Sequence, residues 1–425
     1  MATGYNQTSF ASVLKEWYDD DGLTNATYKG NPYWAKLPKK SAGGLDFIHP
    51  VQYATSQGRR TVFSQAQSSG NLTGMLAAKF AMTRQENWQS ASISTELYYS
   101  AKTDRGAFVD AVVKATDDCM RNLGNAQSVA LFGDGTGLRG NISSGTTLAS
   151  AVLTLAIPAN AVYFEVGMEL DLCAAGTQTP RAYGSAGHGL YVGKVDRILG
   201  NLTIVTTLDG TTTCNITDAT NGIPTAATGD SIFIRSDENA VLQGFGSWIP
   251  YGGPTSALFN GVDRTVDPVR LAGLYLDGTN MSLSEVLIQS ASNVMREGGE
   301  LTHFAMSFGN FAQLIKSQAA RVQIISNIRD QVTPDIGFDG VELMTSAGPV
   351  IVMPDRNCPP NRVYGLNMDT WLFEHIADPV QLFDIDGNTV LRQATDSGVE
   401  MRFFSTGQVV CRQPSSNIVI NVPAA

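Results

Sequence analysis

Between Gly44 and about Ser100 the chain alternates with period two yet offers no continuous apolar face, and that combination limits what it can become. Asp46 to Tyr53 and Arg60 to Phe63 read as one side of a long hairpin. Ala78 to Thr83, continuing through Ile93, reads as the other, with Gly58, Gly70 and Gly74 as punctuation. Gln and Ser recur so often that neither side can bury a face in its own subunit. A two-stranded element of this kind is marginal alone in water, so it requires a partner surface.

What surrounds this segment has a definite order. The stretch before it, with Asn31-Pro32-Tyr33-Trp34 and Pro38-Lys39-Lys40, holds one short helical candidate, Phe10 to Tyr18, and otherwise too many breakers for a packed element. Tyr33 and Trp34 are poorly placed for solvent there, which predicts an arm lying on a neighbouring surface. After the hairpin, Thr103 or Asp104 caps a helix to about Phe132. Its stripe is Phe108, Val112, Ala115, Cys119, Leu123, Ala126 and Ala130, and at 1.5 Å per residue it would run roughly 40 Å.

Texture then changes. From Thr146 to Asp237 the chain is rich in Thr, Gly and Ala, with strand patterns at 162–164, 189–195, 201–207 and 231–234 and hairpin signals at Gly200-Asn201 and Asp209-Gly210. This predicts a small β-barrel or sandwich inserted into the main body. The body resumes near Asn239. Ser282-Leu283-Ser284-Glu285 is a capping box, stopped at Gly298-Gly299. Leu301 to Phe308 reads as a strand, Asn310 as the cap of a second helix, and Pro349 to Met353 as a buried strand. Val380 to Leu391 reads as a hairpin, and 401–404, 408–412 and 417–422 as closing strands.

Composition narrows the function. No run of 18 apolar residues exists, and Asp19 to Asp21 occupy the place of a basic signal start. Five cysteines are scattered without a Cys-x-x-Cys pair, which points to free thiols rather than disulfides or zinc. The net charge of −10 is uneven. Residues 1–105 carry 11 Lys/Arg against 8 Asp/Glu (+3), and the remainder carries 18 against 31 (−13). A sequence-specific nucleic-acid reader would concentrate basic charge in its domain. A basic front on an acidic body instead suits contact between identical subunits.

No catalytic cluster survives inspection. Gly135-x-Gly137-x-x-Gly140 spells a dinucleotide fingerprint but follows a helix, the reverse of the required context. Asp384, Asp386 and Asn388 open like a calcium loop, yet Thr389 stands where Gly is needed and Thr395 where Glu is needed. His49, His188, His303 and His375 lie far apart, and Glu165 with Glu169 has no metal or nucleophile beside it. The sequence therefore implies no enzyme, no cofactor and no metal.

The order of elements resembles the major capsid proteins of tailed bacteriophages, with their Hong Kong 97-like fold. The resemblance is carried by Phe10 to Glu16, the hairpin and helix ending in Leu131-Phe132-Gly133-Asp134-Gly135, Phe259-Asn260-Gly261-Val262-Asp263-Arg264, and the segment from Gly340 through Gly348 to Asp355 followed by Tyr364-Gly365-Leu366. It implies an α+β fold: an N-terminal arm (1–45), an extended β-hairpin loop (46–100), the spine helix of a peripheral domain (101–145), an inserted β-domain (146–237), a mainly axial domain (238–378) and returning peripheral strands (379–425). It also implies hexamers and pentamers in an icosahedral virion shell around double-stranded DNA, assembled in the host cytoplasm, with separate scaffolding and portal proteins, a possible decoration protein and no membrane. Some relatives join a loop lysine to a neighbour's asparagine. Lys79 is the candidate donor here, but no acceptor is identifiable, so the shell is expected to be non-covalent. Candidate subunit contacts are Tyr33, Trp34, Lys36, Lys39, Lys40, Arg59, Arg60, Lys79, Arg84 and Trp88. An encapsulin-like compartment shell fits the same order. A carbohydrate-binding or adhesin-like β protein would fit the Thr/Gly-rich block with Tyr183 and Tyr191.

Overall fold

The computed structural model describes residues 31–44, 46–70, 74–96, 111–185, 189–207, 212–318, 341–346, 348–376, 381–382, 391–393 and 397–423. The helix expected at Phe10 to Tyr18, the start of the long helix before Ala111, the turns at Asp209-Gly210 and Asp386 to Asn388, the Asp384 set and His188 lie outside these residues.

Helix α1 (Pro32–Lys36) and strand β1 (Lys39–Ser41) come first, then strand β2 (Phe47–Ala54), helix α2 (Phe63–Gly70), strands β3 (Leu76–Met82) and β4 (Gln85–Ser94), and the long helix α3 (Ala111–Phe132). Strands β5 (Gly140–Asn141), β6 (Val152–Thr154), β7 (Glu169–Cys173), β8 (Leu190–Asp196), β9 (Asn201–Val205) and β10 (Ser231–Ile234) form the next block. Helices α4 (Phe245–Trp248) and α5 (Pro268–Ala272), strand β11 (Leu274–Asp277), helix α6 (Leu283–Arg296), strand β12 (His303–Met306) and helix α7 (Phe308–Gln318) follow. The chain closes with β13 (Val341–Thr345), β14 (Gly348–Pro354), β15 (Arg362–Leu366), β16 (Trp371–His375), β17 (Gln381–Leu382), β18 (Leu391–Arg392), β19 (Gly398–Cys411) and β20 (Ile418–Asn421).

One sheet has the order β11-β20-β15-β12-β14-β13. Helix α6 forms because Ser282 caps it, its side chain accepting from the Glu285 N–H, and Gly298 ends it at φ 81°. Val286, Leu287, Ala291 and Val294 recur on one side and pack with Phe304, Val352, Ile418 and Ile420 of the sheet in a single core. Asn310 does not cap α7. The hydroxyl of Ser307 accepts from the Asn310 N–H, and the Asn310 amide is buried, donating to the Pro360 carbonyl at 2.8 Å.

The second sheet centres on β19, a continuous strand where two were expected. Gly407 lies within it because a Cβ there would come within 2.5 Å of the Glu374 carbonyl on β16, so the glycine permits close approach instead of breaking the strand. β4 pairs with β19 from Gly398↔Ser94 to Gly407↔Gln85, and β16 takes β19 onward to Trp371↔Cys411. α3 lies against this sheet with Ala115, Cys119, Leu123 and Ala130 buried, and its described length is about 33 Å. The last strand does not return here. β20 sits between β11 and β15, because Ile418, Val419 and Ile420 are apolar on both faces and fit a fully covered strand.

The third sheet, β5-β10-β7-β8-β9-β6, closes on itself. An antiparallel bridge joins Ile142 to Leu155, with Ser143 N–H to Thr154 carbonyl and Ala156 N–H to Asn141 carbonyl both at 2.8 Å. It is thus a small barrel around its own core, which includes Leu153, Leu170, Leu172, Leu202, Ile204 and Ile232. The strand expected at 162–164 is instead the end of a 3-10 turn, Pro158–Tyr163, opened by Pro158.

Candidate subunit interface

The hairpin is built differently from the expectation. β2 and β3 pair from Phe47↔Met82 to Ala54↔Leu76, and Phe47, Val51, Phe80 and Met82 are buried in the main core, with Phe80 5.2 Å from the Trp248 ring. Its base therefore does bury a face in its own subunit. The four apolar side chains lie an even number of residues apart, on one face of each strand, and the Gln/Ser excess concealed them. Arg60 to Phe63 is not a strand, since Ser64 to Gly70 contains no β-branched residue and coils into α2. β4 leaves the hairpin to join β19.

At the distal end the chain leaves apolar surface uncovered: Phe63 is 80% exposed, Met75 64%, Val62 51% and Leu76 50%. Sequence reasoning missed these side chains. Their signal was two apolar pairs, Val62-Phe63 and Met75-Leu76, in a Gln/Ser-rich stretch. Arg59 and Arg60 closely precede Val62 in the chain and are exposed, with the Arg60 guanidinium held by the carbonyls of Gln57 and Arg59.

Tyr33 and Trp34 are corrected outright, because both are buried within this chain. The Tyr33 hydroxyl donates to the carbonyls of Phe304 (3.0 Å) and Met353 (3.3 Å), and Trp34 meets Phe373 edge-on at 5.0 Å. β1 adds to β16 in parallel, Lys39↔Phe373 to Ser41↔His375. The breaker residues do not prevent packed elements here: Pro32 opens the short helix α1, where its missing N–H costs nothing, and β1 adds to a waiting edge. The segment is part of the subunit's own core, and these aromatics keep no face for a neighbour.

The cations fall into two places. Lys36 lies 3.4 Å from the His303 ring, and Lys39 reaches the Trp34 carbonyl and stands over its ring. Lys40 is exposed beside them. Arg59, Arg60 and Lys79 are exposed on the hairpin, and Arg84 is half-buried between β3 and β4. None of the seven forms an ion pair with a described residue, whereas other basic residues do, such as Arg181 with Asp230 and Arg356 with Glu165. Trp88 lies on the outer face of the β4–β19 pair, half-exposed and stacked on Phe404.

Arg264, in the Phe259–Arg264 segment, has an internal task. It is buried, donates to the carbonyls of Ser247 and Trp248, and lies 4.0 Å from the centre of the Phe259 ring. Desolvation pushes its guanidinium down to about 10. The Gly135–Gly140 loop connects α3 to the barrel, and a Cβ on Gly137 would meet the Asp237 carbonyl at 2.4 Å. Its glycines serve that crossing. Among the described residues no cluster of His, Cys, Asp and Glu could hold a metal ion, and no helix is long and apolar enough to cross a membrane.

This architecture, a hairpin projecting from a two-sheet body with a long helix along one sheet, is the Hong Kong 97-like capsid fold. The cyanophage A-1(L) capsid structure matches with TM-score 0.55 at 12% identity, covering 96% of this chain and 96% of that one. Structures from Mycobacterium phage Adephagia (TM-score 0.46, 10% identity, 99% and 98% covered) and of an encapsulin complex from Synechococcus elongatus PCC 7942 (0.46, 5%, 97% and 94%) are more distant. No protein-family model and no curated protein matches the chain.

Proposed function

We propose that this chain is the major capsid protein of a tailed bacteriophage, closing as hexamers and pentamers into an icosahedral head around double-stranded DNA. The observation that carries the reading is the near-complete structural match to a phage capsid subunit. An uncovered apolar hairpin end supports it, since burying one large apolar side chain contributes about 1.5–3 kcal/mol and a shell repeats that contact at every subunit. In this reading the hairpin, with Arg59, Arg60 and Lys79, overlaps an adjacent subunit, α3 is the spine of the peripheral domain, and the β11–β15 sheet with α6 and α7 is the axial domain. Lys36, Lys39, Lys40 and Arg84 face acidic surfaces of neighbours. Separate scaffolding and portal proteins complete assembly.

Electron microscopy of particles made by co-expression with the neighbouring genes tests this. Closed heads with nucleic acid inside the packaged form support the reading. Closed shells that enclose a protein cargo and never DNA would replace it with a compartment function.

A further inference from the structure

The short loop after β14, Asp355-Arg356-Asn357, touches three elements that are distant in sequence. On the side of the N-terminal segment, the Asn357 amide reaches Asn31 Oδ1 at 3.4 Å. On the side of the long helix, the same amide donates to Ser128 Oγ at 2.8 Å, while Asn31 donates to Asn125 Oδ1 at 2.9 Å. On the side of the barrel, the Asn357 carbonyl accepts from the Tyr163 hydroxyl at 3.1 Å, and Arg356 donates to the Val162 carbonyl at 2.8 Å and pairs with Glu165 at 3.6 Å.

The barrel's covalent attachments leave its seating to such contacts. Its entry strand follows Gly135 and Gly137, and its exit passes through Ser236 and Asn239, all four at positive φ. Arg139 with Asp237 (3.3 Å) and Asn239 N–H with the Thr136 carbonyl (2.9 Å) hold those two strands together. Between barrel, α3 and β4 lies a polar groove of about 590 Å³, with Arg356 and Asn357 in its wall. Gln127 and Ser405 also line it, both 2% exposed, and Gln127 Oε1 and Ser405 Oγ have no hydrogen-bond partner among the described residues. The groove separates part of the barrel from α3 and β4, and the loop in its wall ties the barrel to the body.

We infer that the 355–357 loop is a relay that couples docking of the 31–37 segment to the seating of the barrel on the body. This rests on geometry within one subunit and holds whether or not the shell reading does. One amide side chain is shared between Asn31 and Ser128, and the same residue's carbonyl holds Tyr163, so displacing the N-terminal segment frees the group that positions the barrel. Coupling between sites is reciprocal, so the effect runs in both directions.

Hydrogen exchange on the unassembled full chain tests it. Asn31→Ala removes the N-terminal contact, and Tyr163→Phe removes only the barrel's hydroxyl and so preserves packing. The relay predicts that N31A speeds exchange at Phe164, Gly167 and Met168 by about fivefold or more, the lower end of typical coupling. It predicts that Y163F speeds exchange at Ala35 and Leu37 in turn, with Ile204 in the barrel interior unchanged in both. Effects confined to each variant's own side would overturn the relay. So would a uniform rise that includes Ile204, which would report general destabilisation.

Discussion

Trp88 on β4 stacks on Phe404 of β19, ring centroids 5.1 Å apart and planes 22° from parallel, while 49% of Trp88 remains exposed. The pair sits at one register position, on the face directed away from buried Ala91, Ile93, Met401 and Phe403. Replacing Trp88 with Ser should cost the monomer about 1 kcal/mol, the scale of an aromatic pair. It should reduce assembly by more than that loss explains. Melting of the monomer and light scattering of assembly, measured side by side, separate the two. Assembly that only tracks monomer stability would place Trp88 outside the contact.

Arg59 and Arg60 are exposed and closely precede the uncovered Val62 and Phe63 in the chain. Reversing both to Glu should slow assembly strongly at low salt and leave circular dichroism and melting of the monomer unchanged, because exposed charges contribute only about 0–1 kcal/mol each but steer association. The defect should shrink as salt rises. Phe63→Ser should instead weaken assembly at every ionic strength. Equal salt dependence in the two variants would contradict this division of roles.

How much of this could be read in advance depended on how local the cause was. The α6 cap at Ser282 and the strand Ser231–Ile234 are set by neighbouring residues, and the sequence pattern located them. Burial of Tyr33 and Trp34 was not legible, because it is decided by the carbonyls of Phe304 and Met353 and the ring of Phe373, which lie hundreds of residues away. Gly407 misled for a related reason. A glycine that marks a break locally is required here by the approach of Glu374 from another strand. At the candidate interface, the exposed cations were legible from charge, but the apolar hairpin end was hidden by its Gln/Ser-rich context.

Lys79 is exposed on β3, and no lysine–asparagine link is expected from it. Mature particles boiled in reducing detergent should therefore run as a single band at 45.4 kDa. A ladder of multimers that collapses in Lys79→Arg particles would show a covalent shell.

Asp355 is fully buried, its Oδ2 has no hydrogen-bond partner among the described residues, and desolvation pushes its carboxyl up to about 6 despite the N–H bond from Asn357 to Oδ1. Tyr33, Tyr163 and Cys358 are titratable groups that interact electrostatically with this carboxyl. A carboxyl raised from 3.8 to about 6 binds its proton more tightly in the folded state, so the contribution to stability falls as pH rises through that window. Asp355→Asn removes the penalty. Denaturant unfolding at pH 8 should show the variant more stable by on the order of 3 kcal/mol, with a smaller difference at pH 4. A variant that loses stability at pH 8 would mean that the charged carboxylate is required.

The central claim is that this chain closes into a shell, and particle mass tests it most directly. Multi-angle light scattering of the protein co-expressed with its neighbouring genes should find monodisperse particles in the megadalton range, against a chain of 45.4 kDa. A species that stays monomeric or dimeric under all such conditions would contradict the account.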